Sequence, residues 1–423
     1  MRDQRTRRPR ILYMQPSDHF GGAERQAATL LPRLVEQGLD VTALVGPGRT
    51  IVDWLQAAGV HDIVHTDKFP ADWAGSRGIA RLAVARDFVL RPGRLGKQVG
   101  AILDSRPYDA VVAAMAFSWM AATPPSRRRG VPILWRAGGT ELPLLHRLAL
   151  PLWARRHPPD ALICNSEAVR KMFGPLVPAP SVLVRNGVDT DLFRVGAGNP
   201  GNLGMAPRGK SDHVVVGFAG RLEPQKRPQD FLQMAAVIAR RHPQVMFQVA
   251  GEGNLRPQAE QLARELGLGD RLRFLGLVRE MRDFYAACDL LVLPSRSEGC
   301  PNTVLEAMAM RVPVIASDTP STREVIVSMS DGLLYPMGEV DRLIEGVEQL
   351  LAAPALRAAL ADGGWRKVHG PFSARASARA MISRIEATVV GYARGQVGSS
   401  SSAGRYESAS MSCLASARWT TPQ

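Results

Sequence analysis

This sequence predicts two doubly wound α/β domains facing across a cleft, and three observations predict them. Short apolar runs alternate with longer stretches of helical period, the pattern of a parallel sheet covered by helices. The alternation breaks once, at residues 196–212 (GAGNPGNLGMAPRGKSD), where Gly, Pro and polar residues replace any apolar period. It then resumes over a second stretch of similar length, and 423 residues accommodate two such units.

In the first half, apolar runs at 11–14, 41–45, 110–114, 133–135, 161–163 and 182–184 predict strands, while 23–37 and 141–156 predict helices. The strand runs are short and near-continuously apolar, as burial on both faces requires. Residues 1–10, with five Arg, form a basic arm ahead of a domain at 11–195, and 196–212 read as the interdomain linker. In the second domain, 213–373, strands are expected at 214–218, 245–250, 272–274, 290–293, 314–316 and 333–335. Helices are expected there at 227–240, 255–266, 303–310 and 342–352. A further helix follows at 374–394, and the Ser/Gly-rich stretch 395–423 predicts a disordered tail. Ligands of doubly wound sheets bind beyond the carboxyl ends of the strands, so the natural site is the cleft between the domains.

Composition excludes some classes without choosing a partner. With 45% hydrophobic and 22% charged residues, the chain is neither intrinsically disordered nor collagen-like nor a disulfide-rich miniprotein. Its net charge is +14, and the excess is uneven: 27 Lys+Arg against 17 Asp+Glu in residues 1–195, but 26 against 22 in the rest. A basic surface suits nucleic acid, anionic lipid or a phosphorylated small molecule. The four cysteines form no C-x-x-C pair, so neither a zinc site nor a redox motif is indicated, and a reducing cytoplasm is the expected setting. No secretory signal is expected, because the basic start runs into only four apolar residues at 11–14. The longest mostly apolar run, 110–122, is shorter than the roughly 20 residues a bilayer span needs.

Three segments carry chemistry. Gly21 and Gly22 follow the first strand and open a helix, where backbone N–H groups can approach an anion; an ordinary strand-to-helix turn reads the same way. In 217–226 (GFAGRLEPQK), a strand delivers Gly220, Arg221 and Lys226 to a carboxyl-end loop. Two cations there suit a diphosphate, Arg by its fork and Lys as a point charge; a solvated basic turn is the plainer reading. In 298–306 (EGCPNTVLE), Glu298 lies on a loop and Glu306 in the first turns of a helix. Carboxylates accept from sugar hydroxyls, and a helix start at Asn302–Thr303 offers free N–H groups to phosphate. Two solvated acids about a capped helix are the alternative.

Taken in order, GGAER, CNSEAVRKMF, VRNGVDTDLF, VGFAGRLEPQKRPQDFL, VAGEGN, FLGLVREMRDFYAACDLLVLPSRSEGCPNTVLEAMAMRVPVIAS and GLLYP resemble the retaining glycosyltransferases of family four, which have the GT-B fold. The resemblance runs from residue 11 to about 391. It implies that Arg221 and Lys226 hold the donor diphosphate and stabilise it as it leaves. It implies that Glu298 meets the donor sugar's hydroxyls and Glu306 the nucleotide ribose, with Arg221, Lys226 and Glu298 as the catalytic set. Donor contacts would also come from Gly299, Cys300, Pro301, Asn302 and Thr303, from Gly220, and from Gly21 and Gly22 over the diphosphate. Leu277, in the 275–277 segment, would face the base. The 374–394 helix would return to the first domain.

Two departures stand out. Many relatives carry a His in the strand corresponding to 132–136; here Arg136 stands in that segment, and an Arg cannot serve as a base at neutral pH. Arg136 and His19, in the loop before Gly21, are the acceptor-side candidates. Asp189-Thr190-Asp191 looks like a metal-binding D-x-D, but it lies in the segment that resembles the hinge side of this family. No metal or other cofactor is therefore expected, and Gly251-Glu252-Gly253 lacks the third glycine of a dinucleotide site.

The resemblance implies transfer of a sugar from a nucleotide-diphosphate sugar to an acceptor hydroxyl with retention, the acceptor being a glycan or lipid-linked glycan. A nucleotide-sugar epimerase on the same fold and a non-catalytic nucleotide-sugar-binding subunit are the alternatives. Arg77, Arg81, Arg86, Arg91, Arg94 and Lys97, interspersed with apolar residues, are the sequence's candidate for contact with an anionic membrane surface, and a solvated helix face explains them equally; Pro92-Gly93 would interrupt a continuous helix there. No nucleic-acid motif is present. The expected location is cytoplasmic, peripheral on the inner face of the cell membrane.

Overall fold

A strand buried on both faces must place its N–H and C=O groups within a sheet, and each predicted apolar run does so. The computed structural model describes residues 8–16, 21–46, 49–66, 79–140, 144–210 and 212–399. β1 (Arg10–Gln15), β2 (Asp40–Val45), β3 (Ile63–His65), β4 (Ala110–Ala114), β5 (Ile133–Ala137), β6 (Ala161–Cys164) and β7 (Ser181–Leu183) form one parallel sheet, ordered β3-β2-β1-β4-β5-β6-β7. β8 (Val214–Ala219), β9 (Val245–Ala250), β10 (Leu272–Gly276), β11 (Leu290–Leu293), β12 (Val314–Asp318) and β13 (Leu333–Pro336) form the other, ordered β10-β9-β8-β11-β12-β13. The first sheet is flanked by α1 (Gly22–Glu36), α2 (Arg49–Ala57), α3 (Ile79–Ser105), α4 (Ala116–Arg128), α5 (Leu144–Arg156) and α6 (Glu167–Phe173). The second has α7 (Pro228–Arg241), α8 (Arg256–Glu265), α9 (Met281–Ala287), α10 (Asn302–Ala309), α11 (Pro320–Val325), α12 (Val340–Ala352) and α13 (Pro354–Val368), and α14 (Ala374–Ser399) closes the chain.

Each sheet carries apolar side chains on both faces. Tyr13, Leu30 and Val112 pack on one face of the first, Val99, Trp119 and Trp135 on the other. Phe218, Phe231 and Phe247 serve one face of the second, Phe284, Tyr285 and Leu305 the other. Both strand orders reverse beside the domain's first strand, between β1 and β4 and between β8 and β11. Such reversals open a crevice at the carboxyl ends, and the Gly21, Gly220 and Glu298 loops all leave strands that border one.

The chain changes domain at Gly187–Val188 and returns at Ser373–Ala374. Val188 N–H donates to the Phe372 carbonyl (2.9 Å), and Ala374 N–H to the Val188 carbonyl (2.8 Å). A Cβ on Gly187 would lie 2.5 Å from the Ser373 oxygen, so only glycine lets the two segments cross this closely. α14 then lays Ala378, Met381, Ile382 and Ile385 into the first domain's core.

Four details differ from the sequence reading. The crossing precedes residues 196–212: Val188 and Phe193 already pack in the second domain, and Asn199 N–H is held by Asp283 (2.6 Å). Gly/Pro-rich composition marked irregular backbone there, not a free linker. The last helix continues to Ser399, five residues into the expected tail; 400–423, like 1–7, lie outside the described residues. α3 runs unbroken through Pro92, which removes one N–H but is outweighed by packing of Leu95, Val99 and Leu103. β3, α2, α9, α11 and α13 were not anticipated, β3 being a three-residue edge strand without a buried run.

Candidate functional site

The turn after β8 builds the first half of the site. Residues Pro224–Lys226 wind into a 3₁₀ turn, which brings Lys226 back toward the loop after β11. Its Nζ donates to Glu298 Oε1 at 2.5 Å, with both side chains largely buried. Gln225 Nε2 donates to the Ser297 carbonyl (2.7 Å), and the Ser321 hydroxyl to the Glu298 carbonyl, so both loops are tied down. An ammonium has three N–H donors, so Lys226 can hold Glu298 and still reach an anion. Arg221 stands exposed, and its guanidinium pairs with no described carboxylate.

α10 supplies the second half. Pro301 precedes it, and the first N–H groups of Asn302 and Thr303 have no carbonyl within the helix to bond. One turn on, Glu306 is buried and accepts from Tyr285 Oη (2.9 Å) and from Arg25 Nη1 (3.1 and 3.3 Å). Burial, reinforced by Glu306, pushes the Tyr285 hydroxyl well above its ordinary value, so it stays a donor. Burial works against the Arg25 charge, but Glu306, with Tyr285 and Glu280, more than offsets it and the pKa rises. Burial lifts the Cys300 thiol to about 12, which leaves no thiolate nucleophile near neutral pH.

The facing domain contributes mainly backbone. The Asn302 side chain donates to the Gly22 carbonyl (2.8 Å) and accepts from Asn186 Nδ2 (2.9 Å). A Cβ on Gly299 would stand 1.8 Å from the Gly138 oxygen, and Asn165 Nδ2 holds that same oxygen at 3.1 Å. Glu324 caps α6 from across the cleft, accepting from the N–H groups of Glu167 (2.8 Å) and Ala168 (3.0 Å). Gly21 N–H is already donated to Glu24 Oε2 (2.9 Å), so that N–H caps its own helix turn.

The remaining candidates fall as follows. Arg136 is buried and donates to Tyr13 Oη (2.8 Å) and Asn186 Oδ1 (3.1 Å); it reaches α10 through Asn186 rather than directly. Gly138, not Arg136, lies against the Gly299 loop. Leu277 stands exposed after β10, and His19 lies outside the described residues. Asp189 and Asp191 are both taken up by Arg33 (2.8 Å each), and Asp191 also by Arg375 (2.9 Å), at the domain crossing. The structure thus gathers Lys226, Glu298, Glu306, Asn302 and Gly22 into one cleft. It adds Arg25, Tyr285 and Asn186, which the sequence reading did not single out. Arg25 sits inside GGAER, but its partner is 281 residues away, and no local pattern joins the two.

Comparison with known proteins points to glycosyltransferases. Residues 20–192 match the family model described as Glycosyltransferase Family 4, and 206–366 the one described as Glycosyl transferases group 1. The lipopolysaccharide core biosynthesis mannosyltransferase LpcC of Rhizobium leguminosarum bv. viciae is 30% identical over 227 residues, 52% of this chain and 63% of that protein. A D-inositol 3-phosphate glycosyltransferase of Frankia alni is 28% identical over 381 residues, 83% of this chain and 87% of that protein. The chain therefore spans less than two thirds of the first relative's length, and most of the second's. Among solved structures, Anabaena Alr3699/HepE, in complex with UDP and glucose, superposes with a TM-score of 0.72 at 19% identity, covering 90% of this chain and 100% of that one. The likeness is one of fold, and the fold is GT-B.

Proposed function

We propose that the chain, whose two halves match glycosyltransferase family models on the GT-B fold, moves a sugar from a nucleotide-diphosphate sugar to an acceptor hydroxyl with retention at the anomeric carbon. One observation carries the reading. The buried Lys226–Glu298 pair and the buried Glu306 flank the open N-terminus of α10, in a cleft that the Gly22 turn closes from the other domain. A cation and a helix start suit the diphosphate, and the two carboxylates suit hydroxyls on either side of it.

On this reading Lys226 and Arg221 neutralise the diphosphate as its bond to the anomeric carbon breaks and the electron pair leaves with the phosphate oxygen. The acceptor oxygen bonds to the same face of that carbon, and its proton passes to the departing oxygen. Electrostatic stabilisation of the leaving group is then the largest contribution, and the protein supplies it without a base from Arg136. Glu298 orients the sugar's hydroxyls. Glu306, positioned by Tyr285, takes the ribose, with Arg25 yielding or sharing that carboxylate. The first domain's closure excludes water. No metal is needed to hold the diphosphate.

The acceptor we favour is a lipid-linked or growing surface glycan, in keeping with the LpcC relative and the basic first half, at the cytoplasmic face of the membrane. A panel of nucleotide sugars tests the reaction. One donor should raise the melting temperature and be slowly hydrolysed. A chain that neither binds nor consumes any of them is not this enzyme.

A further inference from the structure

The two most exposed leucines among the described residues both lie on α5 of the first domain. Leu148 is 64% exposed and Leu152 is 66% exposed. At four residues apart they stand one turn above the other on the same face. Leu150, Trp153 and Ala154 point the other way, into the core, where Trp153 stacks on Trp135 with ring centroids 5.5 Å apart. Leu148 and Leu152 are therefore not core side chains that lost their cover. The helix already has a buried face, and this is its second apolar stripe.

The charges that α5 itself carries are all of one sign. Arg147, Arg155 and Arg156 are exposed, and α5 carries no acidic residue at all (LLHRLALPLWARR). None of the three pairs with a described carboxylate. Asp160, just beyond the helix, is spent on Arg127 (2.9 Å) and the Ile133 N–H (2.8 Å). A helix face that is merely solvated commonly alternates the two signs. Leucines bracketed by arginines that pair with no described carboxylate match a surface that is apolar below and anionic above.

We infer that the outer face of α5 seats the protein on an anionic lipid bilayer, Leu148 and Leu152 entering the acyl boundary and Arg147, Arg155 and Arg156 meeting lipid phosphates. Among the described residues no helix is long and apolar enough to cross a membrane, so the contact is peripheral. The placement serves the cleft. α5 follows β5, and the loop between them begins at Gly138, the residue against Gly299. A bilayer on α5 thus lies along the flank of the first domain, with the start of the helix nearest the cleft. The α3 arginines named from sequence do not carry this inference: Arg77, and the side chains of Arg81, Arg86 and Arg91, lie outside the described residues.

The bilayer contact rests on the helix face alone; its use in presenting a lipid-linked acceptor rests on the proposed transfer. The test is co-sedimentation of the full chain with vesicles of phosphatidylcholine, with and without phosphatidylglycerol. Binding is expected only to the anionic vesicles. The double variant Leu148→Ser/Leu152→Ser should lower the partition coefficient about tenfold or more. Arg155→Gln/Arg156→Gln should lower it by a similar factor and flatten its salt dependence. All four sites are on the surface, and unchanged melting temperatures confirm that each variant folds. Absence of vesicle binding by the native chain overturns the proposal, as does equal binding by the leucine variant. So does light scattering that shows a dimer which the leucine variant dissolves, since a second copy would then be the occupant. A chain that binds vesicles but consumes no nucleotide sugar overturns the reaction and leaves the surface standing.

Discussion

The two sides of the cleft meet in different chemical terms. The second domain presents charged side chains already fixed by their neighbours: Lys226 against Glu298, Tyr285 against Glu306, with the start of α10 between them. The first presents chiefly backbone, the carbonyls of Gly22 and Gly138, with Arg25 and Asn186 as its reaching side chains. The contacts named here across the divide are hydrogen bonds or ion pairs, so parting the domains exchanges them for water at small net cost. On the proposed reading, one half keeps its geometry as the cleft opens and the other contributes when it closes. Substitutions in the second domain should strike turnover directly, and those facing it should strike closure.

The largest expected effect tests the fixed half. Lys226→Ala should lower kcat by about 10²-fold or more, the scale for removing one donor to a developing anion. Donor KM should change less. Near-normal kcat would show that the charge at Glu298 is structural and would erase the contrast between the halves.

Next comes the closing step. In Gly299→Ala the new Cβ would meet the Gly138 oxygen at 1.8 Å, so the domains must stand further apart or shift. A displacement on the order of 1 Å can cost up to about 10²-fold. The loss should appear in turnover, while nucleotide affinity measured by calorimetry holds, because the new Cβ meets Gly138 of the first domain and leaves Glu306 with its Tyr285 partner. Unchanged turnover would mean that this close approach plays no part in the reaction.

The cleft residues also show what a sequence can disclose. Lys226, Glu298 and Glu306 sit in short motifs whose residue types announce anion and hydroxyl binding. The strands were legible for the same local reason, as near-continuous apolar runs such as Val245–Ala250. Arg25 and Asn186 were not, because their roles depend on which distant residue the fold sets opposite them. Arg136 was noticed as a departure from the family it resembles, but only the structure shows it spent on Tyr13 and Asn186. The unbroken α3 shows the same limit: Pro92 is a local signal, and the packing that overrides it is not. Pro32, Pro124 and Pro151 likewise lie within helices.

A smaller effect separates nucleotide binding from closure at Glu306. Glu306→Gln should weaken nucleotide binding by roughly tenfold, as expected for one hydrogen bond to a charged acceptor. Arg25→Gln removes the competing partner from the facing domain and leaves Tyr285 in place, so it should hold or tighten nucleotide binding. Opposite signs for the two variants would assign Glu306 to the nucleotide and Arg25 to closure. A shared loss would assign both to one structural ion pair.

The smallest expected effect on chemistry is none, and it concerns the domain crossing. If Asp189 and Asp191 held a metal, chelation should abolish turnover and Asp191→Asn should do the same. Their carboxylates instead accept from Arg33, with Arg375 also on Asp191, where the chain passes between domains. Chelator should leave turnover unchanged. Asp191→Asn should lower stability by no more than about 1 kcal/mol, because Asp191 is more than half exposed and such pairs are screened. Arg33→Met should cost about 1–2 kcal/mol by urea denaturation, since it releases Asp189, Asp191 and Glu36 together. If that loss of stability came with an equal loss of turnover, the crossing would be part of the closing motion. If turnover held, the arginine would serve only to join the two halves, and the cleft's chemistry would belong to the residues that face it.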